Sequence, residues 1–395
     1  MPVSPVSPPA TASTATASTA ASHGSRSAST LAPMLAPLFA HYDTVVLPAW
    51  TGPGWHAGRQ LAHEALDGAS GQPRPDQRFR AMACARQLFV FARAGNLDHA
   101  RTLFGSLQRY FGDGAGAWIY SVDAAGAALD VTRDLYTHAF VIFAAAHYFR
   151  AAGDPQALTV LRHTVDVVEQ RFANGNGLYH AALAEDFGDS GAGVLQNPIM
   201  HLTEAYLAAL AATGDSGFAT RLRALASAVH DTFVDPATGC IAELPQGAAG
   251  NRIEPGHQFE WYALVKTSPA LFDGTPLPAA LERAYAFARR FGVSDEDTMG
   301  VPAALRADGD LLDGAQRIWA QTEFARALGI RGTIGGDESA LRDLARWIGA
   351  FRVRFLHPLG WHEVLAPDGS VSRAEMPSTT PYHLLTAYDA LRALP

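Results

Sequence analysis

Cysteine is almost missing from this 395-residue chain: Cys84 and Cys240 are the only two. That is too few for a disulfide framework or a cysteine-built zinc site, and it fits a reducing cytoplasm. Charge is sparse too, at 17 % of residues, and 30 Lys and Arg are outnumbered by 38 Asp and Glu for a net charge of -8. With no basic cluster, the chain has no electrostatic footprint for a phosphate backbone, so no nucleic-acid partner is expected. No stretch reaches the roughly 18 uncharged apolar residues of a bilayer span, and no basic start with an apolar run marks a secretory signal. Phosphate-cradling loops are absent: Gly-x-Gly at 112–114, 114–116, 175–177 and 191–193 lacks a preceding strand and a third glycine. There is no His-Glu-x-x-His and no close Cys/His set, and His257 with Glu260 offers only two ligands, so neither a metal nor another cofactor is expected.

Apolar mass is plentiful, with 48 % hydrophobic residues, which excludes disorder of the whole chain and allows a large core. Residues 1–30 stand apart, with 4 Pro, 8 Ser, 5 Thr and 7 Ala and no aromatic, Leu or Ile. They read as a disordered tail before a single catalytic domain over 31–395. Beyond the tail the periodicity is helical, as in Leu135, Ala139, Ile142, Phe143, Ala146 and Phe149. A longer repeat organises it: a glycine just before an aromatic or apolar residue recurs at Gly54, Gly116, Gly177, Gly239, Gly300 and Gly360, spaced by 62, 61, 62, 61 and 60. Each unit has room for two helices, and Ala-Gly-Asp at 152–154 and Thr-Gly-Asp at 213–215 supply a glycine stop and an aspartate cap in the same phase. Six hairpins form either an open solenoid or a closed (α/α)6 toroid with short β-hairpin loops. Arg86, His138, His201, His257, Gln321 and His383 follow the successive glycines at helix starts. Their recurrence favours the ring, where they would converge on one small-molecule cavity.

Among 15 histidines, His257 in Glu254-Pro-Gly-His257-Gln-Phe-Glu260-Trp261 and His383 in Pro381-Tyr-His383 sit at helix starts in shared phase. Either alone would be a capping or packing residue; together they suggest acid/base chemistry, with Glu260 one turn on fixing the His257 tautomer. His201 is read equally as a core histidine or a ligand contact. Arg86, embedded among apolar residues, must be paired or clamp a hydroxyl-rich ligand. Trp319 is placed in a loop and Gln321 and Glu323 in the first helical turn after it, a grouping that suits a sugar. Two rival classes remain: a glycoside hydrolase using Glu260 and Glu323 as acid and base, and a noncatalytic carbohydrate-binding protein.

The strings Ala85-Arg86-Gln87, Leu135-Tyr-Thr-His138, Asn197-Pro-Ile-Met-His201-Leu-Thr-Glu204, Glu254-Pro-Gly-His257-Gln-Phe-Glu260-Trp261, Arg317-Ile-Trp319-Ala-Gln321-Thr-Glu323 and Tyr382-His383-Leu-Leu resemble the N-acylglucosamine 2-epimerase superfamily across residues 35–393. The resemblance implies an all-α (α/α)6 barrel and a metal-independent aldose–ketose isomerase for D-mannose and D-fructose, or D-lyxose and D-xylulose. A 2-epimerase or sulfoquinovose isomerase of the same superfamily is the alternative. It further implies a monosaccharide partner, a monomer or homodimer, His383 as the base moving the proton between C2 and C1, and His257 as the acid/base for ring opening. Arg86, Asn197, His201, Glu260, Trp319, Gln321 and Glu323 would position the sugar.

Overall fold

The computed structural model describes residues 31–75, 78–294 and 297–394; the expected disordered tail lies outside the described residues. The chain is mostly helical. We number its main helices α1 (31–51, with a π-helical turn at Tyr42–Val46), α2 (Ala81–Arg93), α3 (Leu97–Phe111), α4 (Leu135–Ala152) and α5 (Pro155–Val167, continued by a π-helical turn). Next come α6 (Gln196–Thr213), α7 (Gly217–Phe233), α8 (Pro255–Lys266), α9 (Leu277–Phe291), α10 (Ile318–Thr333), α11 (Glu338–Phe355) and α12 (Thr380–Arg392).

Hydrophobic pattern sorts these helices into two layers. In α3 the buried apolar residues Ala100, Leu103, Phe104, Leu107 and Phe111 follow a threes-and-fours stripe, so the helix has one wet face. Helix α4 is apolar nearly all round, burying Leu135, Ala139 through Ala146 and Tyr148, so it must be covered on every side. Accordingly the even-numbered helices pack side by side, each odd-numbered helix lies outside an even-numbered one, and α12 returns to pack on α2. At that closure Gln87 donates to the Ser378 carbonyl at 2.6 Å, and Met376–Pro377 pairs antiparallel with Ala65–Leu66. The result is an α/α barrel whose connected apolar core includes residues from Leu31 to Leu391. Among the described residues no helix is long and apolar enough to cross a membrane.

The cap signals are realised closely. Gly153 ends α4 in the left-handed region at φ 68°, and Asp154 caps α5 by accepting from Gln156 N–H at 2.9 Å. Gly214 ends α6 in the same way, whereas Ser216, not Asp215, holds the cap position of α7. Short antiparallel hairpins, such as Ser121–Asp123 with Ala128–Asp130 and Val364–Leu365 with Val371–Arg373, precede the inner helices.

At Gly116, Gly177 and Gly239 the recurring glycine lets its loop touch the next outer helix. At Gly116 the backbone has φ 103°, and a Cβ there would lie 2.4 Å from the His163 carbonyl oxygen on α5. A Cβ at Gly239 would lie 2.5 Å from the Ala280 carbonyl oxygen on α9. Neither obstacle is a flexible side chain, so the backbone itself must move. We therefore expect Gly116→Ala to destabilise the fold by about 3 kcal/mol, combining left-handed strain with overpacking. Chemical denaturation measures this, and an unchanged midpoint would show that the loop relaxes freely.

Candidate active site

The six polar residues in glycine phase do not all converge, contrary to expectation. Arg86, His201, His257 and His383 line one cavity of about 210 Å³ at the N-terminal ends of the inner helices. His138 and Gln321 instead clamp the loops that follow the recurring glycines. His138 accepts from Trp118 N–H at 3.2 Å, and Gln321 accepts from Val301 N–H at 2.9 Å while donating to the Val301 carbonyl at 2.8 Å. Gln258 repeats this clamp on Ile241, with both bonds at 2.8 Å. The expected sugar contact of Gln321 is therefore corrected: its amide is consumed by backbone and does not line the cavity. Trp319 is corrected as well. It is the second residue of α10 rather than a loop residue, and the four-residue spacing puts it on the face of Glu323, with Gln321 turned away.

His257 and His383 lie on the same cavity with Trp319 between them, ring centroids 4.8 and 5.7 Å from the indole. The partner of His257 is not Glu260. Its Nδ1 sits 2.7 Å from Glu243 and 3.7 Å from Glu254. Burial lowers the pKa of this imidazole, but the charge and hydrogen bond of Glu243 outweigh burial and hold it above the ordinary value. His383 is opposite in character. Its Nδ1 is 2.9 Å from Glu323 Oε1, yet burial and then the Arg86 charge push it well below the ordinary imidazole value. Glu323 provides no compensating full charge at neutral pH, since burial raises its own pKa to about 7 despite Arg326 at 3.3 Å. One histidine is thus set to be charged and the other neutral.

Glu323 lies behind His383 and does not line the cavity; it orients the ring. Glu260 and Asn197 do line it, and both leave polar atoms unmet: the two Glu260 carboxyl oxygens and Asn197 Oδ1 are buried without a hydrogen-bond partner. Burial, then Glu323 and Glu204, raise the Glu260 pKa well above the carboxylate range, so the group is a neutral acid able to donate. His201 has Nδ1 3.3 Å from Glu204, and burial lowers its pKa to about 4, leaving a neutral ring. Among the described residues Arg86 finds no carboxylate partner. It donates to the Tyr136 hydroxyl at 2.6 Å and lies 4.2 Å from the Phe140 ring and 4.8 Å from that of Tyr382, whose π-faces stabilise the cation.

Three groups gather donor atoms within 4.8 Å of one another: His201 with Glu204 and Glu260, His257 with Glu243 and Glu254, and His383 with Glu260 and Glu323. In each, the imidazole Nδ1 already lies at hydrogen-bond distance from a carboxylate, so these sets are read as hydrogen-bonded pairs.

Sequence reasoning missed Glu243, and with it Gln196, Tyr136 and the cavity-lining Glu363. A signal existed for the two acids: Glu243 is four residues past Gly239 and Glu363 is three past Gly360, so the glycine phase marks them.

Two imidazoles of opposite charge preference, a neutral carboxyl and a guanidinium held by a tyrosine hydroxyl thus surround one polar cavity of an α/α barrel. The model of the N-acylglucosamine 2-epimerase (GlcNAc 2-epimerase) family matches residues 64–387, and the chain belongs to that family. Among curated relatives, a D-mannose isomerase of Thermobifida fusca is 30 % identical over 337 residues, 76 % of this chain and 81 % of its own. A mannose-6-phosphate isomerase of Rhizobium meliloti is 26 % identical over 87 % of this chain and 93 % of its own. A solved D-mannose isomerase superposes with TM-score 0.78 at 20 % identity, covering 90 % of this chain and 97 % of that one. The cellobiose 2-epimerase of Bacillus thermoamylovorans B4167 gives TM-score 0.82 at 16 % identity, covering 90 % and 98 %. These structures establish the shared fold, and family and relatives indicate a sugar isomerase or epimerase.

Proposed function

We propose that this chain forms an (α/α)6 barrel catalysing aldose–ketose isomerisation of D-mannose and D-fructose without a metal. The observation that carries the reading is the placement of His257 and His383 on one cavity, either side of Trp319, with opposite proton affinities. The chemistry follows from those states. A bound pyranose stacks its C–H face on Trp319 and opens when His257, charged, protonates the ring oxygen and, neutral again, takes up the anomeric hydroxyl proton. Neutral His383 then takes the C2 proton, giving an enediolate whose negative charge is met by Arg86 and by the hydrogen of Glu260. His257 then moves the O2 proton to O1, and His383, whose acquired proton exchanges with solvent, protonates C1 to yield the ketose. Asn197 and His201 hold hydroxyls, and Glu323 keeps the His383 ring in register.

The hydrolase reading fits less well. A hydrolase needs two carboxyl groups exposed to one glycosidic bond, but Glu323 is 0 % exposed and bound to His383 and Arg326. A second reading, C2 epimerisation, is favoured by the two-histidine cavity itself, since a second acid on the opposite face of C2 is what inversion requires.

The deciding experiment incubates chelator-treated protein with D-mannose in heavy water. Fructose carrying deuterium at C1 is expected. Glucose as sole product would select the epimerase reading, and loss of turnover on chelation would overturn metal independence.

A further inference from the structure

Trp261 ends one of the family-like strings and Gln196 directly precedes another; both are fully buried and do not line the cavity. Their hydrogen bonds lead to His257. Trp261 Nε1–H, which can only donate, reaches Gln196 Oε1 at 2.9 Å. That bond decides which end of the amide faces Glu243: the Nε2 donor lies 2.9 and 3.1 Å from the two Glu243 oxygens. Glu243 in turn accepts from His257 Nδ1 at 2.7 Å. Gln196 Nε2 also lies 2.9 Å from His257 Nδ1, but the shorter contact of Nδ1 with the ionised Glu243 carboxylate assigns the ring hydrogen to that bond, so two donors converge on the carboxylate. His257 keeps its hydrogen on Nδ1 whether the ring is charged or neutral, and Nε2 is left as the atom that exchanges a proton at the cavity.

We propose that Glu243 and Gln196, with Trp261 setting the amide, are positioning residues that hold His257 with Nδ1–H on the carboxylate and commit it to the acid role. The assignment of that role rests on the isomerase reading; the geometry does not. The other charged groups felt by His257 are Glu254, which adds to Glu243, and Arg317 and His201, which oppose it; Arg252 is paired with Glu254. The contrast with His383 is structural. Its carboxylate Glu323 is shared with Arg326 and has no amide donor behind it, so the two histidines are prepared for different duties.

Two variants and two readouts test this. Glu243→Gln removes the anion and Trp261→Phe keeps an aromatic ring while deleting the N–H. In Glu243→Gln, kcat should fall about 100-fold with little change in KM. The alkaline limb of kcat, where His257 loses its proton, should move to lower pH by about one unit. Trp261→Phe should shift it the same way with a loss of about fivefold. Carbon-13 NMR of the His257 ring, assigned with His257→Gln, should show the same downward titration shift in both variants with no sugar present. If the ring shifts but the wild type turns over no sugar, the isomerase reading fails and the positioning stands. If the ring titration is unmoved in Glu243→Gln, or the loss lies wholly in KM, the positioning role is overturned whatever the activity.

Discussion

Replacing His383 by Ala is expected to lower kcat for mannose about 10⁴-fold while the circular dichroism spectrum stays that of the wild type. In the proposed mechanism the effect is large because His383 is the base that takes the C2 proton. His201, also neutral, is tied at Nδ1 to Glu204 and approaches Glu260 at 4.0 Å. The same two histidines fix the form of the wild-type pH profile. His383 must be neutral, and its pKa lies well below 6.5, so activity rises with pH on the acid side and is complete before neutrality. His257 must be charged, and its pKa is raised, so activity falls on the alkaline side as pH passes that raised value. A bell-shaped profile is expected from steady-state rates. Substantial turnover by His383→Ala, or a profile rising monotonically to high pH, would remove His383 from the role of base.

The second large effect concerns stability. Arg326 lies under the cavity floor, 3.3 Å from Glu323, with its side chain 12 % exposed, and its charge lowers the pKa of Glu204 and Glu323 alike. Glu204 is held at about 2: burial raises it, but the His201 hydrogen bond, the charges of His201 and Arg326, and the donating Tyr382 hydroxyl lower it further. Arg326→Met removes the cation and strands buried acids, so a loss of about 4 kcal/mol in unfolding free energy is expected. The pH dependence has a definite sign. A carboxylate depressed from 4.5 to about 2 adds stability above the higher value and loses it as pH falls through the lower, so the deficit of the variant is full at neutrality and shrinks between 4.5 and about 2. Urea unfolding at pH 7 and pH 3 measures both points. Equal deficits at the two pH values would show that Arg326 acts by packing alone.

The Glu260 carboxyl illustrates how far the residues could be read directly. Its place on α8 one turn after His257 suggested a carboxylate serving that histidine. In the fold, His257 turns toward the loop at Glu243, and Glu260 points at His201 and Glu323, where burial neutralises it. Helical spacing sets the face of a side chain but not the direction of its last two torsions. Those are chosen by what the neighbouring loop presents. Here the loop is held by Gln258, which clamps Ile241 two residues before Glu243 and so brings the carboxylate over the His257 ring.

The sequence by itself determined the helical periodicity and the glycine at each loop, and it singled out His257 and His383 as candidates, because each of these is a local pattern repeated along the chain. It also separated Trp319 from Gln321 by the helical angle between positions two apart, though the consequence drawn, a loop position for Trp319, is wrong. Only the tertiary structure decided which phase-related polar groups face the cavity and which bind backbone, and which acid serves which histidine. Proton affinity is decided there too. A carboxyl or imidazole takes its charge state from burial and from neighbours such as Glu243 and Arg86, brought beside it by other helices and loops.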